Sequence, residues 1–129
     1  MGKKIFLIFI SGFVCGTFCS FTKQRIEFEK WPQMKFRNVR ILIAKSNLSN
    51  QGFAGANLKE MKNTIIIFPE IPEGVIFTNE DQGYGSVNED IKIYYLDKNF
   101  NILKYEIMKK EKGISFPPKN TFIAVEGLP

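Results

Sequence analysis

Polar side chains that could bind a ligand concentrate in one glycine-bearing stretch near the middle of the chain. They are Asn79, Glu80, Asp81, Tyr84 and Asp90. Loops on a rigid scaffold often carry binding residues, so this stretch is the candidate ligand site. The alternative interpretation is structural: Gly83 and Gly85 turn the chain, while Asp81 and Asp90 accept hydrogen bonds from loop amides.

A second candidate feature is a pair of carboxylates, Asp90 and Glu126. Two carboxyl groups in one open pocket can divide into an acid and a base when they lie roughly 5 to 10 Å apart. Either carboxylate can equally accept hydrogen bonds from buried amides or pair with a lysine or arginine. The pattern thus leaves Glu126 with both a binding and a structural interpretation.

The composition removes several kinds of chemistry. The 129 residues include no histidine, which excludes the commonest general base and every Ser-His or Cys-His arrangement. The segment 97–101 has oxygen ligands at the first, third and fifth places of a calcium loop, but Ile102 stands where glycine is needed and Met108 where glutamate is needed. We therefore expect a hairpin turn there, no metal site and no cofactor, and we assign no catalytic residue.

The charge balance argues against a nucleic-acid partner. The whole chain has a formal charge of +5, but without Lys3 and Lys4 it has 16 basic and 13 acidic residues, a net charge of +3. The remaining basic residues are scattered, and their one cluster, between Lys109 and Lys112, is typical of a solvated loop.

The first 20 residues have the layout of a secretory signal: two lysines and then an apolar run from Ile5 to Val14. The segment is short for a membrane span, and an uncleaved anchor remains the second interpretation. Both cysteines, Cys15 and Cys19, fall within it, so the remaining domain has no internal disulfide. We expect an extracytoplasmic protein, whether periplasmic, secreted or membrane-anchored.

The elements that must position these side chains are short strands. Residues 21–35 mix charges with isolated apolar residues and are expected to form a tether, and residues 36–129 a single domain. Ser46 is expected to cap a short helix over 47–51 that ends at Gly52. Strand patterns occupy 36–44, which is enough for one or two strands, and then 64–68, 75–78, 91–95, 102–108 and 121–126, with a hairpin between 91–95 and 102–108. These elements together predict a mainly β domain, that is, a β-rich α+β fold. We expect a small sandwich or partly closed barrel of about seven strands and one helix.

The order of several short motifs resembles a bacterial and archaeal family called domain of unknown function 192. These motifs are Ile43-Ala44, Gly52-Phe53, Ile66-Ile67-Phe68, Phe77, Asp90-Ile91, Leu96-Asp97, Ile102 and Val125-Glu126. The similarity covers about residues 38–126. Phe53-Ala54 replaces the family's leucine-methionine, and residues 77–85 replace its tryptophan-containing segment. The resemblance implies a compact β-rich fold and an exported protein, and it implies no reaction.

These patterns together favour a non-catalytic binding or accessory module with the candidate binding residues Asn79, Asp81, Tyr84, Asp90 and Glu126. Its partner would be a small ligand or an envelope protein. A carboxylate-dependent hydrolase or lyase is the second hypothesis, and a membrane-tethered structural protein is the third. Contact with a membrane is expected only through the N-terminal segment, if that segment is retained.

Overall fold

A computed structural model of the protein describes residues 22–129, and the signal or anchor expected over residues 1–20 lies outside them. The expected mainly β fold is confirmed. The strands are β1 (Gln33–Phe36), β2 (Val39–Ile43), β3 (Thr64–Pro69), β4 (Phe77–Thr78), β5 (Ile91–Leu96), β6 (Ile102–Met108), β7 (Ile114–Ser115) and β8 (Ile123–Gly127). The helices are a 3-10 turn (Phe28–Lys30), α1 (Leu48–Gln51) and α2 (Leu58–Met61).

Six strands form one open mixed sheet in the order β1-β2-β3-β8-β5-β6. The pair β2 and β3 is parallel, and every other neighbouring pair is antiparallel. The chain crosses between the parallel strands through α1 and α2, as a parallel pair requires. The sheet is not closed into a barrel, because β1 and β6 remain at its two edges.

One face of this sheet carries the core, and we call it the inner face. Its side chains alternate along β3, β5 and β8, where Ile66, Ile93 and Ala124 are fully buried. The small antiparallel sheet of β4 and β7 packs on this face: the Phe77 ring lies 5.1 Å from the Phe68 ring and 5.9 Å from the Tyr95 ring, measured between centroids. The two sheets form an unequal sandwich.

The opposite face of the six-stranded sheet, the outer face, is also apolar. Its register positions are Met34, Phe36, Val39, Ile41, Ile43, Ile65, Ile67, Pro69, Ile123, Val125, Gly127, Lys92, Tyr94, Leu96, Tyr105 and Ile107. All sixteen are half-buried or exposed, whereas most of the strand residues between them are buried. The continuous apolar runs of β2 and β3 thus supply both faces of the sheet.

Two short helices, rather than the one expected, connect β2 to β3. Gly52 ends α1 with a φ of +51°, as expected. Ser46 does not cap it: the N-cap residue is Asn47, whose side chain makes no capping hydrogen bond, and Ser46 instead accepts a hydrogen bond at its carbonyl from the Ser49 amide. A positive φ of 54° at Ser46 turns the chain one residue too early for its hydroxyl to reach the helix amides.

Residues 22–35 do not form the tether that their charges suggested. Phe28 is completely buried and Trp31 is 3% exposed, with their rings 5.3 Å apart in an edge-to-face arrangement. Two hydrogen bonds of 2.8 Å also hold this segment against α1 and the residues that follow it. The Ile26 amide donates to Gln51 Oε1, and the Arg25 guanidinium donates to the Ala54 carbonyl. The domain therefore includes the described residues before Phe36, because the isolated aromatic residues of this segment are buried against the α1 region.

Among residues 22–129, none of the helices combines the length and apolar character needed to cross a membrane.

Candidate functional site

The polar stretch 79–90 does not form one open site. Asn79 is 1% exposed, and its amide donates to the carbonyls of Met108 and Lys109 at 3.1 and 3.0 Å. Asp81 accepts hydrogen bonds from the amides of Gly83 and Gly85 at 2.8 and 3.0 Å. Both residues thus have the loop-stabilising contacts that the structural interpretation described.

Tyr84 and Asp90 also contact other residues of the protein. The Lys23 ammonium lies 5.3 Å from the centre of the Tyr84 ring. Asp90 accepts a hydrogen bond from the Lys110 amide at 2.9 Å and lies 3.6 Å from the Lys109 ammonium. That amide hydrogen bond, helped by the Lys109 charge, holds the pKa of Asp90 below its ordinary value. Asp90 therefore joins the start of β5 to the chain after β6.

Glu126 differs from the other candidates in both burial and partners. It lies on the inner face in β8, opposite Ile66 on one neighbouring strand and Ile93 on the other. Its residue is 7% exposed, and among residues 22–129 its carboxyl has no hydrogen bond or ion pair. Burial raises the pKa of Glu126 from 4.5 to about 8, so the carboxyl is neutral at pH 7.

The Glu126 side chain borders a small cavity of about 40 Å³ between α1 and the segment around β4. The other polar residues of its lining are Ser49, Asn50, Gln51, Thr78 and Asn79, and Phe68 and Phe77 form apolar walls. Glu126 is the single ionisable residue among the lining residues. This volume suits a few atoms, such as a small polar group of a larger molecule.

A larger groove of about 990 Å³ adjoins the cavity and shares Ser49, Asn50, Phe68 and Phe77 with it. Its remaining walls are mainly apolar and include Ile71, Pro72, Val75 and Phe122, and its charged lining residues are Lys45, Glu70 and Glu73. Concave apolar surfaces of this size with a few polar groups are typical of small-molecule sites. We call the cavity and groove together the Glu126 cleft.

Gly52 brings the end of α1 close to this carboxyl. A Cβ atom on Gly52 would lie 3.7 Å from Glu126 Oε1 and 3.6 Å from the Phe68 ring, which is ordinary contact. Glycine is needed for its backbone, because a φ of +51° with a ψ of −134° is strained for other residues. The turn at Gly52 thereby sets the position of Ser49 and Asn50 at the mouth of the cleft.

The structure places only two of the five candidate residues, Asn79 and Glu126, at the cleft. Asp81, Tyr84 and Asp90 are not among its lining residues, so within the described chain Asp90 and Glu126 do not share a pocket as an acid-base pair. The sequence reasoning did not identify Ser49, Asn50 and Thr78 as site residues. Their proximity depends on the crossover between parallel strands, which no local pattern indicated.

A second chain of polar contacts joins the two sheets beside the cleft. The Tyr95 hydroxyl donates to Ser115 Oγ at 2.6 Å, Ser115 donates to Glu106, and the Lys104 ammonium lies 3.3 Å from Glu106. Burial, together with the nearby carboxylates, raises the pKa of Tyr95. Tyr95 and Ser115 are at most 1% exposed, so this network stabilises the contact between the sheets and offers no reactive hydroxyl to a ligand.

Within residues 22–129, no group of three or more acidic, histidine or cysteine side chains is arranged to hold a metal ion. The segment expected to be a hairpin turn joins β5 to β6, where Asp97 accepts hydrogen bonds from the amides of Asn99 and Asn101. The amide hydrogen bonds hold the pKa of Asp97 below its ordinary value.

Comparisons of the chain with protein-family models, with curated proteins and with solved structures gave no match.

Proposed function

We propose that this protein is a non-catalytic binding module whose ligand enters the Glu126 cleft. The observation that carries the proposal is Glu126, a residue that is 7% exposed, borders a cavity and has a carboxyl without a hydrogen-bond partner among the described residues. Burying a polar group without a partner costs stability. A ligand that hydrogen-bonds to Glu126 offsets that cost.

The surroundings of Glu126 favour a neutral head group over a charged one. Its pKa of about 8 keeps the carboxyl protonated at pH 7, so it both donates and accepts a hydrogen bond. A carboxamide matches this pattern, because it presents an N–H donor and a carbonyl acceptor side by side. The adjoining groove accommodates an apolar body on the same ligand.

The competing hypotheses have less support. A hydrolase or lyase that pairs Asp90 with Glu126 needs both carboxyls in one pocket, and Asp90 is not among the described residues that line the Glu126 cleft. The hypothesis of a membrane-tethered structural protein rests on residues 1–20, which lie outside the described residues. An extracytoplasmic location and membership of the domain-of-unknown-function 192 family remain part of the proposal, supported by the order of the N-terminal residues and of the motifs over 38–126. An envelope protein that presents such a head group would be an equivalent partner.

The proposal is tested by the thermal unfolding of the protein at pH 6.5 with hexanamide, hexanoate and hexylamine, which share a chain length and differ in the head group. We expect hexanamide to raise the unfolding temperature in a concentration-dependent way, because a ligand that binds only the native state stabilises it. Glu126→Met should abolish this shift. The same variant should unfold at an equal or higher temperature without ligand, since it removes an unpartnered buried acid.

Asp90→Asn is the control, because it also replaces one acidic side chain but lies outside the cleft. It should keep the response to hexanamide. A hexanamide shift that persists in Glu126→Met, or a response to none of the three compounds, would contradict the proposal. A larger response to hexylamine than to hexanamide would contradict the neutral head group.

A further inference from the structure

We propose that the outer face of the six-stranded sheet is the interface of a symmetric dimer, covered by the outer face of a second copy of this chain. The inner face already carries the helices and the small sheet. Among residues 22–129, the polar contacts and ring packing of those elements fall on the inner face. Within the described part of the chain, no helix or sheet is therefore layered on the outer face.

The chemistry of the outer face is that of a buried surface. A sheet with one wet face alternates apolar and polar residues, whereas strands covered on both faces read as continuous apolar runs. Here β2 and β3 place Ile41, Ile43, Ile65 and Ile67 outward. Among the sixteen described positions of the face, Lys92 is the single charged side chain.

The edge strands of the face are the most open. Met34 is 61% exposed, Phe36 63%, Tyr105 59% and Ile107 44%. Large contiguous apolar patches of this kind are rare on monomers and mark interaction sites. Because both edges and the centre are apolar, the occupant must cover the whole width of the sheet.

The size of the face fits a dimer. Six strands about 4.8 Å apart and five residues of about 3.3 Å give a plane of roughly 500 Å². This estimate is of the same order as the approximately 800 Å² that each partner contributes to a stable interface. A second copy has a sheet of equal width and equal twist, and two such sheets pack face to face about 10 Å apart.

The single cation on the face is compatible with two-fold symmetry. Lys92 lies in β5, away from the centre of the sheet, and its ammonium is 4.7 Å from the centre of the Tyr105 ring and 5.2 Å from that of Tyr94. A two-fold axis along the strands places β5 and β6 of one copy over β1 and β2 of the other. Each Lys92 then faces apolar side chains and not the other Lys92. The absence of an anion on the described face removes the charge complementarity that an acidic or basic protein partner would use.

The test is sedimentation equilibrium of the protein as the cell produces it. It measures the average molecular mass in solution over a range of protein concentrations. The variants are Tyr105→Lys and Met34→Lys, at opposite edges of the face, and the control is Phe116→Lys. Phe116 matches Tyr105 in being an aromatic residue that is 59% exposed, but it follows β7 on the other side of the molecule. All three sites are exposed, and a cooperative thermal transition confirms that each variant folds.

We expect a dimer for the protein and for Phe116→Lys, and dissociation constants about tenfold or more weaker for the other two variants, because each would bury two added charges per dimer. A monomer at every concentration would overturn the proposal, as would equal weakening by Phe116→Lys. Binding of the monomer to phospholipid vesicles, lost in Tyr105→Lys, would overturn it in favour of a lipid surface.

Discussion

At the scale of single residues, three of the candidate polar side chains in the described chain have hydrogen-bond partners and Glu126 has none. Asn79, Asp81 and Asp90 resemble each other in sequence as candidate ligands, yet each has its hydrogen-bonding capacity used by loop amides or carbonyls. Glu126 sits deeper than Asp81 or Asp90 and has no such contact in the described chain. Burial combined with an unmet hydrogen bond thus separates Glu126 from these residues more sharply than residue type does.

The raised pKa of Glu126 predicts how stability depends on pH. In the unfolded chain the carboxyl titrates near 4.5, and in the folded protein near 8, so the native state holds one more proton between these values. The contribution of this extra proton to the free energy of unfolding is fully present below pH 4.5 and is lost as the pH rises to about 8. The loss amounts to a few kcal/mol, at about 1.36 kcal/mol per unit of pKa difference. Urea unfolding at several pH values should show this loss for the protein and not for Glu126→Gln. Parallel profiles for the two would mean that the carboxyl is ionised in the native state.

At the scale of elements, local chemistry explains the strands better than the helices. The alternation of β5 and the turn at Asp97 predicted the β5–β6 hairpin, because both signals depend on neighbouring residues. Helix α2 was missed although Asn57 and Glu60 form a reciprocal capping box, in which each side chain accepts from the backbone amide of the other. That spacing, Asn followed three residues later by Glu, was the available signal.

Asn57→Ala should therefore destabilise the protein, while the same change at Asn47 should not. The Asn57 side chain accepts from the Glu60 amide at 2.8 Å, whereas Asn47, the N-cap of α1, makes no capping hydrogen bond. Loss of an N-cap costs about 1 kcal/mol. Chemical denaturation of the two variants measures the difference, and equal effects would show that the cap of α2 contributes nothing.

At the scale of the whole molecule, the core draws on parts of the chain that are far apart in sequence. The fold class followed from strand patterns, but the docking of residues 22–35 and the cleft could not be predicted from them. Whether Phe28 and Trp31 are buried depends on the space that Phe53 leaves beside α1. The centres of the Phe28 and Phe53 rings are 6.0 Å apart. The position of Glu126 opposite Ile66 likewise follows from strand order and not from its neighbours in sequence.

Trp31→Ala distinguishes a docked segment from a tether. Removing a buried aromatic side chain costs about 3 to 5 kcal/mol, and the variant also loses the hydrogen bond from the indole to the Ile26 carbonyl at 3.1 Å. The control is Phe100→Ala at the hairpin tip, which is 68% exposed and should change stability little. The denaturation midpoints of the two variants are compared. A small change in stability for Trp31→Ala would show that residues 22–35 form a tether after all.

The place of β8 has a consequence for how the protein acquires its structure. This strand is the last in chain order, yet it lies between β3 and β5 and is the only link between the two halves of the large sheet within residues 22–129. Until Ile123–Gly127 has been synthesised, β1, β2 and β3 cannot join β5 and β6. The two halves of the large sheet therefore join only after synthesis has passed Gly127, so the pairing that completes the core is also the last to form.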